Sequence, residues 1–216
     1  MQRRIFVTGL HRAGTHTIAK EVAKETGLLY IDENIIEWDG LHHIKSLMRK
    51  EIPENKRVNI KDKDVFIKGL KVGFVIQCPG LAHKTLELAS YGKVYWVTRA
   101  HADIVCSMIN ASINDMAWHI VKGFKQEFPD DPIWKKLTYD GSDDFPVGFP
   151  KYYTLLIKVK EYFYQTRFKD FCTRVKIDDQ LFYDFSKSVT AKRPLKDRAK
   201  KIHTEACKLY EGICLH

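Results

Sequence analysis

The chain has 216 residues, with 36 Lys and Arg against 27 Asp and Glu, a net charge of +9 and 44% hydrophobic residues. That length suits a single α/β domain able to bury a sizeable core, and the hydrophobic content excludes an extended disordered chain. No stretch approaches the ~20 apolar residues of a membrane span, and the positive balance favours anionic partners.

Arg4 to Thr8 reads as a short buried strand. The opening "MQRRIFVTGL" is basic and then apolar like a leader, but its apolar run is brief and leads straight into glycines, so it is assigned to strand one. Gly9 and Gly14 follow with the G-x-x-x-x-G spacing of a phosphate-binding loop, in which backbone N–H groups and a helix N-terminus cradle an anion. Such loops ordinarily continue Lys-Ser/Thr; here the next residues are Thr15 and His16. Thr15 to Thr26 is a predicted helix, with Ile18, Ala19, Val22 and Ala23 as its buried stripe and Gly27 placed to end it. Leu28 to Asp32 is a second strand, running into the acidic pair Asp32-Glu33.

Residues 38–63 are polar and fit one helix and a charged loop. Val72 to Pro79 is a strand stopped by proline, Leu81 to Ser90 a helix, Lys93 to Arg99 a strand, and Ala102 to about Phe124 one long helix. Between Lys125 and Pro150 the helical pattern fails, and four of the seven prolines collect there among aromatics and aspartates. Long connections of this kind are often lids or binding loops, so residues 125–150 are expected to form an insertion or a lid over an acceptor. Tyr152 to Phe168 is a further helix, Arg174 to Ile177 a strand, and the basic C-terminal part helical. Alternating strands and helices imply an α/β fold with a central parallel sheet and helices on its faces, a single domain over residues 1–216.

The five cysteines form no C-x-x-C pair, which fits reduced thiols in a cytoplasmic protein better than a disulfide framework or a zinc site. No recognisable nucleic-acid module accompanies the positive charge, so no specific nucleic-acid partner is expected.

Two segments carry chemistry. In the loop, Arg12, Thr15 and Thr17 favour an anion, while the missing magnesium hydroxyl argues against ordinary nucleoside-triphosphate hydrolysis. In "VYWVTRAHADIVCSMINAS", Arg99 ends a strand, where open α/β sheets bind their ligands, and Ser107 falls about two turns into the next helix. The two side chains can converge on one phosphate, the arginine supplying a forked, charged donor.

Together these segments resemble the sulfotransferase family, P-loop-like enzymes that use 3′-phosphoadenosine 5′-phosphosulfate. "GLHRAGTHTIA" is similar to the family's 5′-phosphosulfate loop, with His11, Arg12, Ala13, Gly14, Thr15 and His16 in successive motif positions. "VTRAHADIVCSM" is similar to its 3′-phosphate motif, carried by Arg99, Asp103 and Ser107, and "RVKIDDQL" to a later strand and turn. The resemblance covers most of the chain from Arg4 to about Asp184. It implies a three-layer P-loop NTPase-like fold, a nucleotide sulfate donor, no metal, and an acceptor hydroxyl or amine on a small molecule, glycan or peptide. Sulfuryl transfer needs no metal bridging two phosphates, and Arg12 can balance charge on the bridging oxygen as it leaves.

This sequence also departs from the pattern. Ala13 replaces the loop serine, His16 replaces a hydroxyl, and Gln77-Cys78-Pro79 stands where many members carry Lys-x-Pro, leaving Lys68 and Lys84 as candidates for a second cation. The general base that the resemblance implies is Glu33, in the place used by glutamate-dependent members; Asp32, His11, His16, His42 and His43 are lesser candidates. The basic run Ala191 to Lys201 occupies the position of a late loop on the 3′-phosphate, giving Lys192 and Arg193 as nucleotide contacts. The alternatives are a P-loop kinase acting on a nucleotide or small metabolite, and a non-catalytic nucleotide- or polyanion-binding protein of the same fold.

Overall fold

The computed structural model describes residues 3–33, 73–110, 116–137 and 150–177. The chain gathers into two compact units. The first comprises Met1–Leu10, Gly14–Thr98 and Phe168–Lys176; the second comprises His11–Ala13, Arg99–Arg167 and Ile177–His216.

The first unit is built on a five-stranded sheet. β1 (Arg4–Gly9), β2 (Leu29–Ile31), β3 (Phe74–Gln77), β4 (Lys93–Thr98) and β5 (Thr173–Lys176) lie in the order β2-β3-β1-β4-β5. Every pairing is parallel, with Val7 beside Gln77 on one side of β1 and beside Tyr95 on the other. Ile5, Phe6, Val7 and Thr8 are all buried, the near-continuous run expected of a central strand covered on both faces. Phe6, Ile31, Phe74, Ile76, Leu88 and Val94 form a core around β1 and β3, with Phe6 and Phe74 meeting edge to face at 6.1 Å.

Helix α1 (Thr15–Thr26) has the predicted bounds. Gly27 closes it in the left-handed conformation (φ 67°), its N–H returning to the Ala23 carbonyl. Its buried stripe differs from the expected one: Thr15 joins Ala19 and Ala23, while Ile18 and Val22 are only partly covered. Pro79 starts a 3-10 turn (Pro79–Lys84) before helix α2 (Thr85–Tyr91), because Leu81 departs from helical geometry (φ −94°, ψ 19°). β1, the glycine loop and α1 form the strand–loop–helix unit of a P-loop. The fold is therefore α/β and P-loop NTPase-like, as the alternation of the sequence predicts. Since β2 and β3 lie on one side of β1 and β4 on the other, the loop leaves the sheet where the strand order reverses. Open parallel sheets bind ligands at that point.

The second unit is helical among its described residues. Of the long helix expected over 102–124, the described parts are α3 (His101–Asn110) and α4 (Met116–Glu127), with residues 111–115 outside the described residues; both pack on α6 (Pro150–Phe163). The helix expected to reach Phe168 leaves α geometry at Phe163 and continues as a wider turn over Tyr164–Phe168. The described half of the expected lid, residues 125–137, is a packed excursion. It contains the short helix α5 (Ile133–Lys136), and Phe128 and Trp134 lie against Phe163 at 4.8 and 5.9 Å. Asp131 organises it, accepting from the Ile133 N–H, the Tyr162 hydroxyl and Arg167. The remainder of the lid and the segments 38–63 and 191–201 lie outside the described residues.

Candidate anion-binding site

The loop begins and ends on glycines for steric reasons. Gly9 has φ 116°, and a Cβ there would drive into the Val97 backbone of β4, whose carbonyl accepts the Leu10 N–H at 2.9 Å. Gly14, at the start of α1, has φ 95°. No side-chain hydrogen bond caps this helix, the end at which phosphate-binding loops offer backbone N–H groups to an anion.

Within the first unit, three side chains follow from this entry. The Thr15 hydroxyl is buried and accepts from Gln77 Nε2 at 3.1 Å. Gln77, at the carboxyl end of β3, thus holds the loop helix where the resemblance would place a lysine. Its Oε1 is buried without a hydrogen-bond partner. His16 stands edge-on to Tyr30, with ring centroids 5.5 Å apart, and its Nδ1 is 2.8 Å from the Tyr30 hydroxyl and 3.2 Å from Asp32 Oδ2. The Tyr30 hydroxyl donates to Asp32 Oδ2 at 2.9 Å. Burial, the bond to Asp32, and the charges of Asp32 and Glu33 push the Tyr30 phenol far above its ordinary range. Glu33 directly follows Asp32 and is half-buried, acting on the phenol through its charge.

Within the second unit, the loop residues His11, Arg12 and Ala13 meet helices α3 and α6. Arg12 is exposed and left-handed (φ 60°), and its Nε donates to Ser107 Oγ of α3 at 3.0 Å. Ala13 is fully buried. Arg99, immediately after β4, has a largely buried side chain 3.8 Å from the Asp103 carboxylate, one turn into α3. The described bond of Ser107 is thus to the loop arginine, a pairing that the spacing of the second motif does not reveal.

The sequence reading missed Lys160. This α6 lysine is wholly buried, with Nζ 2.8 Å from His11 Nδ1. Burial, then the positive charges of Lys160 and Arg12, hold His11 well below its ordinary pKa, so its ring is neutral. An ammonium only donates, so Nδ1 accepts and the ring proton sits on Nε2. That Nε2 is buried and has no hydrogen-bond partner. One signal for Lys160 existed: it shares the stripe Leu156, Lys160, Phe163, whose spacing marks the buried face of a helix. Of the other candidates for a second cation, Lys84 is half-buried at the end of the 3-10 turn. Lys68, Lys192, Arg193, His42 and His43 lie outside the described residues. Among the described residues no three His, Cys, Asp or Glu side chains gather as a metal site, and no helix is long and apolar enough to cross a membrane.

No protein-family model matches this chain, and no curated protein does. Among solved structures it is similar to a gluconokinase from Sinorhizobium meliloti 1021, at 10% identity and a TM-score of 0.35, over 98% of this chain and 95% of that one.

Proposed function

We propose that this protein transfers a sulfuryl group from 3′-phosphoadenosine 5′-phosphosulfate to an acceptor hydroxyl or amine. The observation that carries the reading is the 3.0 Å bond from Arg12 Nε to Ser107 Oγ. It joins a residue of the glycine loop to one of the second motif, 95 positions away. Both side chains are ones that the sulfotransferase resemblance assigns to the donor, and an arginine held by a neutral hydroxyl keeps its charge available for an anion. Arg99 reads the 3′-phosphate that ATP lacks, and Arg12 balances charge on the bridging oxygen as the sulfuryl group leaves. His16 stands in the place of the loop's magnesium-binding hydroxyl, which favours a metal-free donor over one bridged by magnesium. Free thiols at Cys78 and Cys172 fit a reducing, cytoplasmic setting.

The test is calorimetric titration with adenosine 3′,5′-bisphosphate without metal, set against 5′-AMP and against ATP with Mg²⁺. The bisphosphate binds more tightly than 5′-AMP, and Arg99→Ala weakens it roughly tenfold or more, since a charge-assisted contact contributes ~1.5–3 kcal/mol. Equal affinity for the two adenosine nucleotides overturns the assignment. Tight ATP binding that requires Mg²⁺ replaces it with phosphoryl transfer.

A further inference from the structure

We infer that His16 is the proton acceptor for the acceptor substrate, with Tyr30 and Asp32 as its positioning residues; this deepens the sulfuryl-transfer reading and rests on it. The argument follows from where the protons of the three groups lie. The Tyr30 phenol has a single proton, and burial with the adjacent carboxylates keeps it on the oxygen. That proton goes to Asp32 Oδ2 at 2.9 Å, because an ionised carboxylate only accepts. The 2.8 Å contact between the Tyr30 oxygen and His16 Nδ1 therefore has its hydrogen on the nitrogen. The same Nδ1–H lies 3.2 Å from Asp32 Oδ2, so both partners favour one tautomer. In the neutral ring this leaves the lone pair on Nε2. The His16 side chain is 44% exposed, whereas that of Asp32 is 23% exposed.

A histidine whose inner nitrogen is fixed by a carboxylate, with the lone pair on the outer one, is the arrangement a general base needs. His16 is the second residue of α1, directly after the glycine loop, in the helix turn that the proposed function assigns to the donor. Among the described residues, the charged and titratable groups around it include Tyr30, Asp32 and, through the Tyr30 ring, Glu33 and Lys20, whose Nζ lies 5.6 Å from the ring centroid. The step balances simply. The acceptor O–H proton moves to Nε2 while the oxygen forms its bond to sulfur. The bond from sulfur to the bridging oxygen breaks, and its electron pair stays on the departing 5′-phosphate. The products are a sulfate ester, adenosine 3′,5′-bisphosphate and a His16 imidazolium, which returns its proton to water. Asp32 stabilises that imidazolium through the Nδ1–H.

Two measurements test this on the full chain. Histidine ¹⁵N spectra should show His16 protonated on Nδ1, and Asp32→Asn or Tyr30→Phe should shift the population toward the other tautomer. Hydrolysis of 3′-phosphoadenosine 5′-phosphosulfate, with water as acceptor, should fall on the order of 10²–10⁴-fold in His16→Asn, well beyond any loss of bisphosphate affinity. Glu33→Gln should change hydrolysis far less. An Nε2–H tautomer in the wild type, or full hydrolysis by His16→Asn in a protein that still binds bisphosphate, overturns the role of His16 alone. A wild type that binds no bisphosphate overturns the function on which it rests.

Discussion

Replacing Arg12 by glycine separates what the loop needs to fold from what it needs to bind. Arg12 is a non-glycine residue in the left-handed region (φ 60°), which costs an L-residue about 1–2 kcal/mol. Glycine removes that cost but restores roughly 0.5–1 kcal/mol of backbone entropy to the unfolded chain. It also deletes the Arg12–Ser107 bond, a solvent-exposed hydrogen bond with a net contribution of about 0.5–1.5 kcal/mol. These terms nearly cancel, so Arg12→Gly should unfold within about 1 kcal/mol of the wild type, a shift of at most ~4 °C for a chain of this size. Donor binding has no compensating term. Losing one charge-assisted contact costs ~1.5–3 kcal/mol, roughly 10- to 150-fold in the dissociation constant of adenosine 3′,5′-bisphosphate. Arg12→Lys keeps the charge but not the fork, and should fall between the two. Thermal unfolding and metal-free calorimetry on the three proteins decide the matter. Unchanged bisphosphate affinity in Arg12→Gly would refute a binding role for this arginine, and a stability loss above about 3 kcal/mol would refute the strain argument.

Gly9→Ala should destabilise by at least about 2 kcal/mol in urea unfolding, because strain at positive φ adds to a collision with the Val97 backbone; a midpoint equal to that of the wild type would contradict the β1–β4 approach. Asp131→Asn should lose ~1–3 kcal/mol at pH 7, discounted for the half-exposed Arg167. Burial would raise the Asp131 carboxyl, but the Ile133 N–H, Arg167 and Tyr162 together hold it below the ordinary carboxylate value. A depressed folded pKa contributes stability that is complete above the unfolded value of ~3.9 and is lost as pH falls through the folded one. The wild-type advantage over Asp131→Asn should therefore vanish in acid, and an advantage that persisted unchanged to pH 2 would exclude this linkage.

Much of the first unit was legible because its signals are local. β1 and its glycines, the bounds of α1 and the cap at Gly27 each follow from a few consecutive residues. The parallel pairing was legible one step further, from the alternation of strands and helices. What escaped depends on contacts far apart in sequence. The bond from Gln77 to Thr15 spans 62 positions and that from Lys160 to His11 spans 149. Gln77 read as the loss of a family lysine, whereas the structure gives it a task, holding the loop hydroxyl. His16 read as a donor-loop position and a lesser candidate for the base; its contacts with Tyr30 and Asp32 come only with the fold.

The cost of the loop points to function without any family pattern. Burying a lysine charge carries a penalty of several kcal/mol, and Lys160 is wholly buried with its ammonium against a neutral imidazole. That contact fixes the proton of His11 on Nε2, a buried donor without a hydrogen-bond partner, and such orphans cost about 1–3 kcal/mol each. Arg12, the next residue, adds left-handed strain. Three departures from ordinary protein chemistry thus fall on two adjacent loop residues and the lysine behind them. Packing alone gives no reason for the strain at Arg12, since glycine at position 12 would relax the backbone. The anion of the proposed donor would give one, by taking the charge of Arg12 and accepting from N–H groups at the start of α1. Unfavourable terms concentrated in this way are characteristic of sites shaped by a ligand rather than by the fold.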